Sequence, residues 1–134
     1  MELSVSSITP ITTVGAAAPT ASYSQGIVAR PIIVTAGQVG RDAATGSLES
    51  TLEGQVRVAI DNLEAVLRAA DVTLADVIKT TCYLADIDDF ARFDAAYRER
   101  FAEPLPARST VGVALAGDLL FEIEAWAIAP AANR

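Results

Sequence analysis

The 134-residue sequence contains no histidine. Without an imidazole there is no Ser-His-Asp or Cys-His triad, no imidazole acid–base catalysis and no ordinary zinc site. Chemistry is left to carboxylates, arginine, lysine, tyrosine, hydroxyls, backbone amides and one thiol. Cys82 is the single cysteine, so an internal disulfide is excluded and a reducing, cytoplasmic setting is expected. Cations are scarce as well: ten Lys and Arg against seventeen Asp and Glu leave a net charge of −7. They form no stripe, so no nucleic-acid partner and no adhesion to an anionic membrane is expected. No apolar run approaches the about 20 residues of a membrane-spanning helix. Met1-Glu2 has no basic region, Pro10 and Pro19 interrupt the N-terminal segment, and no apolar core precedes Gly15-Ala16-Ala17-Ala18. A signal peptide is therefore not expected.

What the chain does have is apolar surface. Hydrophobic residues make up 51% of it, more than a domain of this size can bury alone, so part is expected to meet another subunit. With no repeat, low-complexity tract or charged linker, the chain reads as one domain, 1–134. The segment Tyr23 to Val39 predicts two short strands, Ile27-Val28 and Ile32-Ile33-Val34, broken at Arg30-Pro31. A polar loop runs from Arg41 to Ser50, and Ser50-Thr51-Leu52-Glu53 has the pattern of a capping box. The helix after it carries Leu52, Val56, Ala59, Ile60, Leu63, Val66 and Leu67 on one face and ends near Ala70-Asp71.

Val77 to Leu84 predicts a strand with Ile78, Thr80, Cys82 and Leu84 on one face. A second helix is expected from an Asp88 N-cap through Phe90, Phe93, Tyr97 and Phe101, a stripe that reads as core. Pro104 and Pro106 stop it. Two strands, Ser109 to Leu115 and Leu119 to Ile128, close an α+β order of ββαβαββ, with both helices on one sheet face. In the last strand Phe121, Ile123, Ala125 and Ala127 share the helix-facing side. Leu120, Glu122, Glu124, Trp126 and Ile128 share the other, too apolar for open solvent yet carrying two carboxylates.

Arg108, after the rigid turn at Pro106-Ala107, reads either as a guanidinium offered to a ligand carboxylate or as one half of a structural ion pair. Glu122 and Glu124 project from one face. One is either a desolvated, water-activating acid, or both sit at a wet margin or pair with arginine across subunits. Cys82 reads as a buried, inert thiol. Gly37 and Gly40 fit either a close backbone approach to a ligand or an ordinary turn. Tyr23 is either a pocket-edge hydroxyl or a packing aromatic.

These pieces together resemble the Rid family of reactive intermediate imine/enamine deaminases, also called YjgF or L-PSP. The resemblance covers about Tyr23 to Ala129. It rests on Tyr23-Ser24-Gln25-Gly26, Thr35-Ala36-Gly37-Gln38-Val39, Asn62-Leu63, Val77-Ile78-Lys79-Thr80-Thr81, Asp86-Ile87-Asp88-Asp89-Phe90, Pro106-Ala107-Arg108-Ser109 and Phe121-Glu122-Ile123-Glu124-Ala125. It implies a mixed sheet of the chorismate-mutase-like type in a homotrimer with a ligand cleft at each subunit interface, and no metal or organic cofactor. The implied reaction converts small 2-iminoacids or their enamines to 2-oxoacids and ammonia. Arg108 grips the carboxylate and Glu122 positions and activates water, with Tyr23, Ala36, Gly37, Asp94 and Thr110 around the ligand.

Three positions depart from the family's pattern: Ala36 replaces a common serine, Thr110 a frequent cysteine, and Asp94 a frequent asparagine. A carboxylate at 94 either repels anionic ligands or is neutralised by a neighbour. These changes keep open an alternative, a non-catalytic regulatory trimer that binds small carboxylates. A ribonuclease activity sometimes attached to the family is disfavoured by the acidic balance and the missing histidine.

Overall fold

β-Branched and aromatic runs pair into a single mixed sheet in the computed structural model, which describes residues 7–129. The reading of Met1-Glu2, and both ends of the expected 1–134 domain, lie outside the described residues. The strands are β1 (Thr9–Ile11), β2 (Gly26–Ala29), β3 (Ile32–Thr35), β4 (Gln38–Val39), β5 (Val77–Leu84), β6 (Ala107–Gly112) and β7 (Phe121–Ile128). Their order is β1-β2-β3-β7-β5-β6, with β4 alongside β7. Among these strands only β5 and β6 run parallel. β3 and β4 follow one another along the same edge of β7, facing Trp126–Ile128 and then Glu122–Ile123. Where that ladder breaks, the Thr35 hydroxyl accepts the Ala125 amide at 3.1 Å.

Among the described residues two α-helices cover one face, α1 (Leu52–Arg68) and α2 (Phe90–Arg98). α1 packs on β3, β4 and β7 and on α2. Its predicted stripe is fully buried, as are Phe121, Ile123, Ala125 and Ala127 beneath it. Arg92 of α2 grips Glu53 of α1 through two hydrogen bonds of 2.9 Å. The expected capping box from Ser50 to Glu53 is not formed, because the cap falls one residue later and places Gly54 at the third helical position. Thr51 caps α1 instead, accepting from the Gly54 amide at 3.0 Å.

The other departures are local and have local causes. β1 was not expected, because Pro10 sits inside it; it lies at the sheet edge, where a missing amide donor is tolerated. α1 stops at Arg68, with Ala69 as its C-cap and Asp71 at a positive φ of 62°. A bulge between Val77 and Lys79 shifts the register, so Val77 points into the core and Ile78 is 46% exposed. The second helix begins later than expected. Asp86, not Asp88, caps a 3₁₀ turn over Ile87–Asp89. Phe101 lies past the helix end yet stacks on Tyr97 at 4.4 Å. β6 ends at Gly112 and β7 starts at Phe121, both inside the predicted limits.

The second face of the sheet has no helix packed on it among the described residues. It carries Val111, Trp126 and Ile128, all substantially exposed, beside Tyr83, Glu122 and Glu124. The predicted division of β7 into two faces is therefore observed.

Candidate functional site

Strand register decides where Arg108 points. Arg108 and Thr110 sit opposite Thr80 and Cys82 of β5, both fully buried on the helix side. The Arg108 side chain therefore turns toward α2. Its guanidinium carbon lies 5.4, 5.0 and 4.7 Å from the ring centres of Phe90, Phe93 and Tyr97. The aromatic stripe is thus core and also the platform that holds this cation. Phe90 is its outer member, 40% exposed. NH1 of Arg108 donates to Asp94 Oδ1 at 2.7 Å. The ion-pair reading of Arg108 holds for that nitrogen, and the carboxylate at 94 has a cationic neighbour. Among the described residues no other hydrogen bond reaches the guanidinium, which faces a cleft of about 350 Å³ lined by Asp94, Tyr97, Arg98, Leu105 and Pro106.

Thr110 lies two residues along the same face. Its Oγ1 is buried without a hydrogen-bond partner among the described residues. Cys82 beside it is inaccessible, and burial chiefly pushes its thiol up to about 12. The inert reading of Cys82 stands.

Glu122 belongs to the opposite face. It pairs in register with Tyr83 and with Val39, on the side of β7 away from the helices. Its carboxylate lies against the backbone of Gly37: a Cβ there would fall 2.7 Å from Glu122 Cδ and 3.0 Å from Cγ. Gly37 is thus a close-approach glycine. Gly40 serves packing, since a Cβ on it would meet Gln55 of α1. The Glu122 carboxyl is held above its usual range, first by partial burial and then by repulsion from Glu124. Glu124 accepts a 2.9 Å hydrogen bond from the Tyr83 hydroxyl. Burial, and then that bond, raise Tyr83 to about 12, so it stays a donor at neutral pH. Among the described residues no cation forms an ion pair with Glu122 or Glu124.

Ala36 is bound through its backbone, its amide donating to Gln25 O at 2.9 Å and its carbonyl accepting from Gln38 Nε2 at 3.2 Å. Tyr23, about half exposed, accepts from the Thr20 amide at 3.3 Å. It leads into β2, which β3, β7 and β5 separate from β6. The candidate residues thus fall into two groups. Arg108, Asp94 and Thr110 lie on the helix face at the β6 edge; Gly37 and Glu122 lie on the open face. Within one chain the sheet stands between them. Sequence reasoning missed the aromatic platform and the Tyr83–Glu124 bond. The helical spacing of 90, 93 and 97 was a signal for the first, read only as core.

The sequence model of the family described as Endoribonuclease L-PSP matches residues 13–129. The chain belongs to this family, the Rid family of the sequence resemblance. A RutC family protein of Pyrococcus horikoshii is 43% identical over 119 residues, covering 87% of this chain and 94% of that protein. The 2-iminobutanoate/2-iminopropanoate deaminase of Salmonella typhimurium is 37% identical over 122 residues, covering 88% and 95%. Among solved Rid structures, E. coli TdcF with bound serine superposes with a TM-score of 0.87 at 32% identity, covering 91% of this chain and 99% of that one. No helix among the described residues is long and apolar enough to cross a membrane.

Proposed function

We propose that this Rid-family chain is a deaminase that hydrolyses small 2-iminoacids, and their enamine tautomers, to 2-oxoacids and ammonia. The observation that carries this reading is the Glu122 carboxylate: partly desolvated, unpaired with any cation among the described residues, and laid against the Gly37 backbone. An acid whose protonation is pushed toward neutrality is suited to take a proton from water and return it. Naming of relatives at 37–38% identity as 2-iminobutanoate/2-iminopropanoate deaminases supports the same chemistry.

In the proposed reaction Arg108 holds the substrate carboxylate. A water attacks the iminium carbon while Glu122 accepts one of its protons, and the C=N electron pair moves to nitrogen. Glu122 then returns that proton to the amine of the tetrahedral intermediate. The hydroxyl oxygen re-forms a carbonyl, the C–N bond breaks, and ammonia leaves with the hydroxyl proton as ammonium. Atoms and charge balance without a metal or redox partner.

Because Arg108 and Glu122 lie on opposite faces of one sheet, the site is proposed to form between copies of the chain, Arg108 from one and Glu122 from its neighbour. The exposed Val111, Trp126 and Ile128 on the open face support such packing. The family resemblance supports a homotrimer as that assembly, and a cytoplasmic setting is part of the same proposal.

The engagement of Arg108 by Asp94 favours a second reading, a non-catalytic trimer that binds small carboxylates. One assay separates the two. An amino-acid oxidase or lyase generates a series of imines, and 2-oxoacid release is followed with and without this protein. Acceleration that is lost in Arg108→Ala supports the deaminase. Binding of 2-oxoacids without acceleration supports the regulatory trimer. RNA cleavage that survives repurification and is lost in Glu122→Ala would instead support a ribonuclease.

A further inference from the structure

The Arg108 cleft carries two opposite charges where a simple carboxylate receptor needs one. Asp94 occupies NH1 of Arg108 at 2.7 Å, the two side chains retain 34% and 21% of their surface exposed, and both line the cleft. The remaining guanidinium donors are open to a ligand carboxylate, which then lies within a guanidinium's width of the Asp94 carboxylate. In a partly desolvated site that like-charge approach is unfavourable. It becomes favourable when the ligand brings a positive nitrogen next to its carboxylate, because the nitrogen can face Asp94. Arg98 at the cleft rim adds a second cation, so the cleft still attracts the carboxylate end. The aromatic rings of Phe90, Phe93 and Tyr97 fix Arg108 from behind, leaving charge arrangement as the main variable.

We propose that Asp94 is a specificity-determining residue. With Arg108 it forms a paired anchor for zwitterionic α-nitrogen carboxylates and against 2-oxoacids, which carry the carboxylate alone. The inference rests on the deaminase reading and deepens it. A 2-iminoacid protonated on nitrogen is such a zwitterion, and its hydrolysis removes the cationic nitrogen. The product then faces Asp94 with no compensating charge, which discriminates substrate from product and favours release.

The test uses the purified, assembled protein and two stable probes, 2-aminobutanoate as the zwitterion and 2-oxobutanoate as the plain anion, titrated by calorimetry. Wild type is expected to bind 2-aminobutanoate the more tightly. Asp94→Asn keeps the volume and the hydrogen-bond acceptor for Arg108 but removes the charge. It is expected to tighten 2-oxobutanoate about tenfold and weaken 2-aminobutanoate about tenfold. Asp94→Glu, which restores the charge, is expected to return the ratio toward wild type. A ratio that stays within about threefold of wild type in Asp94→Asn would overturn the proposal. So would loss of both ligands by a variant that remains folded, since Asp94 would then only hold Arg108 in place. Turnover of generated imines by wild type is measured separately. Its absence would sink the deaminase reading, whereas an unchanged affinity ratio with turnover intact sinks only the role of Asp94.

Discussion

The Glu122 carboxylate fills the space that any side chain at Gly37 would need. A Cβ at 37 would lie 2.7 Å from Glu122 Cδ, well inside van der Waals contact. The obstruction is a side-chain end, so Gly37→Ala is expected to turn the carboxylate aside rather than to break the fold. Imine hydrolysis should fall by about 10²-fold, the scale of a misplaced general base, with the melting temperature nearly unchanged. Gly40→Ala is the contrast. There the obstruction is Gln55 of α1, backbone carbonyl included, at 2.8 Å, so overpacking should cost about 1–3 kcal/mol. Unaltered hydrolysis in Gly37→Ala would remove Glu122 from the proposed mechanism.

The pH behaviour of Glu122 has a defined sign. Its folded value lies above the usual 4.5, because burial and then Glu124 disfavour the charged form. Its contribution to stability is therefore fully present below 4.5 and is lost as pH rises through the folded value. Glu122→Gln removes that loss, so its melting temperature relative to wild type should be higher at about pH 7 than at about pH 4. Activity runs the other way, since a base must be ionised. The acid limb of the kcat/KM profile should lie above the ordinary glutamate range and move down in Glu124→Gln, where the repulsion is gone. A limb that stays put in Glu124→Gln would show that Glu122 is not the titrating base.

Beneath Arg108, the hydroxyls of Thr80 and Tyr97 meet at 2.8 Å, both buried. Tyr97→Phe leaves the Thr80 hydroxyl without that partner, and about 1–2 kcal/mol of stability should be lost. Removing both hydroxyls in Thr80→Val/Tyr97→Phe deletes the unsatisfied group, so the double variant should recover most of the loss. Urea denaturation of Tyr97→Phe, Thr80→Val and the double variant checks the cycle. Additive losses would mean that the two hydroxyls do not depend on each other.

Patterns with a fixed period were readable in the sequence. The α1 stripe and the two faces of β7 appear as expected because burial enforces 3.6- and 2-residue repeats. What escaped were features set by contacts between distant segments. The bulge that turns Ile78 outward depends on its partners Ala127 and Trp126. The pairing of Arg108 with Asp94 depends on where α2 crosses β6. Motif register grouped Arg108 and Glu122 as partners in one site. Only strand register shows that they occupy opposite faces of the sheet, because Arg108 aligns with Thr80 whereas Glu122 aligns with Tyr83.

That separation makes a prediction no single-chain site would share. If each site takes Arg108 from one subunit and Glu122 from the next, two inactive variants can repair one another. Arg108→Ala and Glu122→Ala are each expected to be inactive alone. Unfolded together in equal amounts and refolded, about three quarters of cyclic trimers contain both kinds of subunit. In every such trimer one of the three junctions brings an intact Arg108 to an intact Glu122. Activity should therefore recover to about one quarter of wild type, measured as 2-oxoacid release from a generated imine. Mixing the folded variants without unfolding should recover nothing until subunits exchange. A refolded mixture with no more activity than its separate components, in a preparation shown to contain mixed trimers, would mean that the two residues do not meet across an interface.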